Sequence, residues 1–219
     1  MLQLIRVWFT KTGKAKYMSH LDLNRCMIRA VRRAQIPIWY TEGYNPHPFL
    51  TFALPLSLGI EGRRETMDMK LEGEMSFEEV CDRLNAVLPQ EIQILEVREA
   101  VMKPKVIAYA QYELELSLED TNSPELKENI EKILALPEII VPRRTKSGTK
   151  DFDLAPEIGE YSCQSDGDGV CLSILLPAGS KKNVNPVVVV DALGKYMGRT
   201  LTAELRRMEI YDENQRIFC

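Results

Sequence analysis

The strongest constraint on this chain is the order in which its hydrophobic periodicity changes. Residues 2–9 nearly alternate and are rich in apolar and β-branched side chains, the pattern of a strand. Residues 19–34 then switch to helical spacing, with Leu23, Met27, Ala30, Val31 and Ala34 on one face. Ser19 followed three residues later by Asp22 fits a capped helix start, and Pro37 closes the helix. Residues 49–58 and 66–71 read as two strands joined around 59–62. Ser76 with Glu79 opens a second helix to about Leu88, and residues 92–97 make a last strand. The order β-α-β-β-α-β predicts a four-stranded antiparallel sheet with both helices on one face, the ferredoxin-like arrangement.

The order recurs after a linker at Met102-Lys103-Pro104-Lys105. Residues 110–118 alternate as a strand, and Ser123-Pro124 opens a helix to about Leu136. Residues 139–141 are strand-like and lead into a polar stretch, 143–153. A hairpin is expected from 161–164 and 170–176, a helix from Asn185-Pro186 to about Met197, and a closing strand over 201–211. The expectation is an α+β chain of two tandem ferredoxin-like (βαββαβ) domains with antiparallel sheets, residues 1–102 and 106–219. A length of 219 residues suits two small domains.

Several functional classes drop out. No apolar run approaches the ~20 residues that span a bilayer, and the first residues lack the pattern of a secretory signal. The five cysteines are scattered without a CxxC, so reduced thiols in the cytoplasm are expected. No GxSxG, GxGxxG, HExxH or P-loop pattern occurs, and no metal or cofactor is expected.

Charge is distributed unevenly. Residues 1–64 hold ten Lys and Arg against three acids, a net +7, and residues 65–100 reverse this to −7; the whole chain carries −4. On a helical wheel Arg25, Arg29, Arg32 and Arg33 lie about 180–280° from Leu23, opposite the apolar face. No acid stands four residues from any of them, although Asp22 stands three before Arg25. Planar guanidinium forks match phosphate oxygens, and nucleic-acid affinity is largely electrostatic. Lys11, Lys14 and Lys16 precede the helix and extend the basic set, and Arg143-Arg144 begins a second basic cluster. The plain alternative is a solvated basic exterior and a surface hairpin.

The only histidines, His20 and His47, sit in Tyr17-Met18-Ser19-His20-Leu21-Asp22 and Gly43-Tyr44-Asn45-Pro46-His47-Pro48. Imidazole titrates near pH ~6.5 and can serve acid–base cleavage of RNA, so both are candidate catalytic residues. Helix capping and a proline-stiffened loop explain the same residues without catalysis. Two histidines with Asp22 lack diagnostic metal-ligand spacing.

Lys11-x-Gly13, Tyr17-x-Ser19-His20-Leu21-Asp22-Leu23-x-Arg25, Arg29-Ala30-x-Arg32-Arg33-Ala34 and the Gly43 to Pro48 loop resemble the bacterial radical SAM-linked protein family. That uncharacterised domain is often fused to, or encoded beside, a radical SAM protein. The resemblance covers about residues 11–72, ending with Pro55-Leu56-x-Leu58-Gly59 and Asp68-Met69-Lys70-Leu71. It implies a radical SAM partner, and, since this chain has no CxxxCxxC, an accessory rather than the radical enzyme. The Ser-His-Leu-Asp helix start and Asn-Pro-His-Pro loop are also similar to the repeat-associated RNA-binding proteins of CRISPR systems. The glycine-rich loop of those proteins has no counterpart here.

The expected function is an RNA-binding accessory protein, with Lys14, His20, Arg25, Arg29, Arg32, Arg33, Tyr44, Asn45, His47, Arg143 and Arg144 as contacts. The alternatives are a protein-docking module for the radical SAM partner and a histidine-dependent endoribonuclease.

Overall fold

The computed structural model describes residues 2–145 and 148–219, with only the backbone described at 143–145. It divides into two units: Met1–Ile107 with Arg216–Cys219, and Ala108–Gln215.

The first unit runs β1 (Leu2–Lys11), a 3₁₀ turn (Gly13–Tyr17), α1 (His20–Arg33), β2 (Leu50–Phe52), β3 (Glu61–Glu72), α2 (Phe77–Asn85) and β4 (Ile94–Glu99). Its strands lie in the order β4-β1-β3-β2, every neighbour antiparallel. The register sets Ile5 opposite Met69 and Val7 opposite Met67. A strand's side chains alternate between faces, so one face presents Ile5, Val7, Phe9, Met67, Met69 and Leu71 to the helices. These pack with Leu23, Met27, Ala30 and Val31 of α1 and Val80 and Leu84 of α2 in one buried core.

The opposite face carries Arg6 and Trp8, and both are buried. Arg6 Nε and Nη2 donate to Asp68 at 2.7 and 2.8 Å, and Nη2 also donates to the Met102 carbonyl at 2.7 Å. The ring of Phe218, itself fully buried, lies 3.9 Å from the guanidinium carbon. Met102 N–H donates to the Cys219 carbonyl at 2.7 Å. Residues 216–219 thus close over the first unit after the chain has traversed the second. Removing one partner of such a buried pair costs about 3–5 kcal/mol, because the other charge stays desolvated.

The second unit runs β5 (Ile107–Ser117), α3 (Ser123–Leu134), β6 (Ile140–Thr145), β7 (Gly148–Asp153), β8 (Tyr161–Asp166), β9 (Gly169–Pro177), α4 (Pro186–Met197) and β10 (Thr202–Asp212). The sheet order is β10-β5-β9-β8, and β6 with β7 forms a separate two-stranded ribbon from the polar stretch. Leu114, Leu116, Leu172, Ile174 and Leu176 from the sheet are buried along with Leu126 and Ile130 of α3 and Val189 and Leu193 of α4.

The chain is therefore α+β with four α-helices among the described residues. The strand expected over 49–58 shrinks to Leu50–Phe52. Beyond it Pro55 has no N–H to offer a ladder, and β3 begins earlier, at Glu61. The cap of α3 is Asn122, whose side chain accepts from Glu125 N–H at 3.0 Å; Ser123 is the first helical residue.

Candidate nucleic-acid interface

The site is built on α1. Ser19 Oγ accepts from Asp22 N–H at 3.1 Å and donates to the Asp22 carboxylate at 2.7 Å, which fixes the first turn. The last turn ends in a Schellman arrangement: Gln35 N–H reaches the Arg32 carbonyl, and Ile36 N–H the Val31 carbonyl. Gln35 takes the left-handed conformation at φ +54° that such a stop requires. With Leu23, Met27, Ala30 and Val31 facing the core, the other side of the helix is left to solvent.

On that side Met18, Asp22, Arg25, Cys26, Arg29, Arg32 and Arg33 line an open groove of about 690 Å³. The four arginines expected to share a face do so, and they differ in freedom. Arg33 Nη2 donates to the Val87 carbonyl at 2.6 Å, just past α2, which draws it into structural duty. Arg32 Nε donates to Tyr40 Oη at 3.2 Å. Arg25 reaches Asp22 at 3.4 Å, an exposed pair worth at most about 1 kcal/mol. Arg29 has no hydrogen-bond or carboxylate partner among the described residues. Burial pushes the Cys26 thiol up, and the charges of Arg33 and Arg29 pull it partly back.

The basic residues ahead of α1 part company. Lys14 is exposed. Lys11, which the sequence offers as an extension of the patch, is only 1% exposed. Its ammonium donates to the Met18 carbonyl at 2.9 Å and to that of Lys16 at 3.5 Å, fixing the turn that feeds the helix. A buried lysine is stable only when its protons find such acceptors.

The two histidines are exposed and share no hydrogen bond or ring contact. His20, the first residue of α1, sets its ring edge-on to Phe52 at 5.1 Å. His47 closes the loop after α1. Thr41 N–H donates to the His47 carbonyl at 2.9 Å, and His47 N–H donates to Thr41 Oγ1 at 3.2 Å. His47 Nδ1 lies 3.1 Å from Thr41 Oγ1 and 3.2 Å from the Asn45 carbonyl, so the ring is held between two oxygens of its own loop. Tyr44 stands at the tip, fully exposed. The loop meets α1 through Tyr40 at Arg32, twelve residues or about 18 Å along the helix from His20. Among the described residues no group of three or more His, Cys, Asp or Glu is placed to hold a metal.

Arg143 and Arg144 lie on β6, and their side chains are outside the described residues. Met18, Cys26 and Tyr40 belong to the site and were not singled out from the sequence. Cys26 is four residues after Asp22, so the helical wheel contains it; Met18 lies before the helix, and the Tyr40 contact crosses a loop and leaves no local signal.

A family model described as "Uncharacterized protein conserved in bacteria (DUF2344)" matches residues 4–186. The chain belongs to that family. No curated protein matches it. Among solved structures it is similar to a chain of a Cbf5-Nop10-Gar1 complex, at 12% identity and a TM-score of 0.53, covering 95% of this chain and 50% of that one. This chain thus spans about half the length of that neighbour, and at such identity the likeness is one of fold. It also matches an unknown protein from Galdieria sulphuraria at 14% identity, covering 94% and 99% of the two chains, with a TM-score of 0.29. Among the described residues no helix is long and apolar enough to cross a membrane.

Proposed function

We propose that this protein binds RNA through the exposed face of α1, as an accessory to an RNA-modifying enzyme. The observation that carries the reading is the arginine groove: Arg25, Arg29, Arg32 and Arg33 line it with Asp22 as the one acid. The sequence resemblance supplies the class of enzyme, a radical SAM protein. The strand orders β4-β1-β3-β2 and β10-β5-β9-β8 support reading each unit as ferredoxin-like.

Phosphates would seat on Arg29 and Arg32, with Arg25 at one end and Tyr44, Asn45 and His47 beyond the other. Three phosphate contacts give a slope of about −2 to −3 for log affinity against log salt. Between 50 and 200 mM salt, affinity for a structured RNA such as bulk tRNA then falls about 20–40-fold, read by filter binding. Arg29→Glu combined with Arg32→Glu is expected to weaken binding more than about 100-fold, from the loss of two contacts and the gain of two repulsions. Unaltered binding in that variant overturns the proposal.

A second reading, docking of an acidic protein face, draws on Met18 and Cys26, which give the groove an apolar floor. A partner captured equally well after nuclease treatment favours docking. A histidine-dependent ribonuclease would use His20 or His47 as acid or base; cleavage of labelled RNA lost in either His→Ala variant would support it.

A further inference from the structure

The arginine row of α1 does not end in ordinary polar surface. Immediately before the helix Tyr17 is 67% exposed, and Leu21, one turn ahead of Arg25 on the same stripe, is 55% exposed. At the other end Arg32 is bonded to Tyr40, which begins the loop bearing Tyr44. A single exposed aromatic side chain is unremarkable on any protein. Here two tyrosines bracket about 20 Å of helix whose exposed side is cationic.

The Tyr44 end is also stiffened. Thr41 and His47 exchange two hydrogen bonds across the loop's base, and His47 Nδ1 is held at the Asn45 carbonyl. Pro46 and Pro48 fix two further φ angles. The ring is therefore held out on a braced support, so a contact with it forfeits less conformational entropy.

Phosphate contacts alone do not distinguish paired from unpaired RNA. Aromatic faces do, because in an A-form duplex the bases are stacked on each other behind a narrow major groove. Tyr17 and Tyr44 gain nothing from a duplex, whereas unpaired bases can stack on both while the phosphates between them lie along Arg25, Arg29 and Arg32. Resting on the RNA-binding reading of this helix, we infer that its ligand is an unpaired RNA segment, with a base stacked at each end of the arginine row.

The experiment measures anisotropy of a short labelled RNA without self-complementarity and of its blunt duplex, with wild type, Tyr17→Ala/Tyr44→Ala, Tyr17→Phe/Tyr44→Phe and Arg29→Glu/Arg32→Glu. Wild type is expected to favour the single strand. Loss of two stacking contacts lowers single-strand affinity about tenfold or more in the Ala pair, leaving duplex affinity within about twofold. The Phe pair, which keeps both rings, retains single-strand affinity. Both tyrosines are exposed, so unchanged thermal midpoints are expected and confirm that folding is not the cause. A wild type that prefers duplex, or an Ala pair that binds the single strand like wild type, overturns the inference. If the Arg pair meanwhile loses both RNAs, the RNA-binding reading stands without it. If the Arg pair binds as wild type, or no form binds either RNA, both fall.

Discussion

Helices α1 and α3 occupy the same place in their respective units, each following the unit's first sheet strand, and they treat charge in opposite ways. On α3, Lys132 pairs with Glu128 at 2.6 Å and Lys127 with Glu131 at 3.8 Å, both at i,i+4. The Lys132 ammonium holds the Glu128 carboxyl below its ordinary range. On α1 four arginines share a side with one acid, and Arg25 and Arg29, four residues apart, are like charges. Such spacing destabilises a helix by a few tenths of a kcal/mol where the reverse pairing would stabilise it. The same scaffold position is thus self-neutralised in one unit and left in electrostatic deficit in the other. On the proposed reading, RNA phosphates supply the missing negative charge.

The largest expected effect tests this contrast directly. Arg29→Glu/Arg32→Glu lowers RNA affinity more than about 100-fold, while Lys127→Glu/Lys132→Glu on α3 changes it less than about twofold. Equal losses from both pairs, measured by filter binding, would break the comparison. Next in size is a conversion of α1 to the α3 pattern. Arg29→Glu alone stands four residues from both Arg25 and Arg33, so RNA affinity falls about tenfold. The urea-derived stability rises instead by about 0.3–0.5 kcal/mol. A variant that loses stability would show that the arginine row costs the fold nothing.

The caps should not differ. Ser19 on α1 and Asn122 on α3 each accept from a backbone N–H three residues on, at 3.1 and 3.0 Å. Alanine at either position is expected to cost about 1 kcal/mol in urea unfolding. The smallest effects are read from thiols. Cys26 lies beside Arg29 and Arg33, which oppose the effect of its burial. Burial pushes the Cys163 thiol up to about 11, with help from the Glu131 charge of α3. Alkylation at pH 8.5 should reach Cys26 before Cys163, and Arg29→Gln should slow Cys26. Folded, Cys163 stays protonated to about 11, while unfolded it ionises near its ordinary value of 9.0. Its contribution to stability is therefore full below pH 9 and is lost as pH rises through 11. Cys163→Ala should flatten that stretch of the pH–stability curve.

Local signals carried most of the fold. Helix α1 runs within a residue of its expected ends, because Ser19 caps it and the Leu23 to Val31 spacing admits one buried face. The same spacing placed the arginines on one side. Pairings between distant residues had no such signal. Arg6 is an ordinary strand arginine in sequence, and only the register that sets it opposite Asp68 explains why it is buried. Lys11 reads like Lys14, since its burial depends on carbonyls presented by a turn whose position the sheet decides. Whether an arginine is free or occupied is likewise tertiary: Arg33 differs from Arg29 because the Val87 carbonyl, just past α2, accepts a hydrogen bond from it.

The strap of residues 216–219 over Arg6 has a consequence for the order of events during synthesis. Residues 108–215 of the second unit must be made before Phe218 can cover the Arg6 guanidinium. At the usual elongation rate that interval lasts about 5–20 s. Throughout it, a nascent first unit exposes one side of a charged pair that the finished protein keeps dry. Shielding of the outer face of the N-terminal sheet thus waits on synthesis of the whole second unit, although that sheet's own strands are made long before.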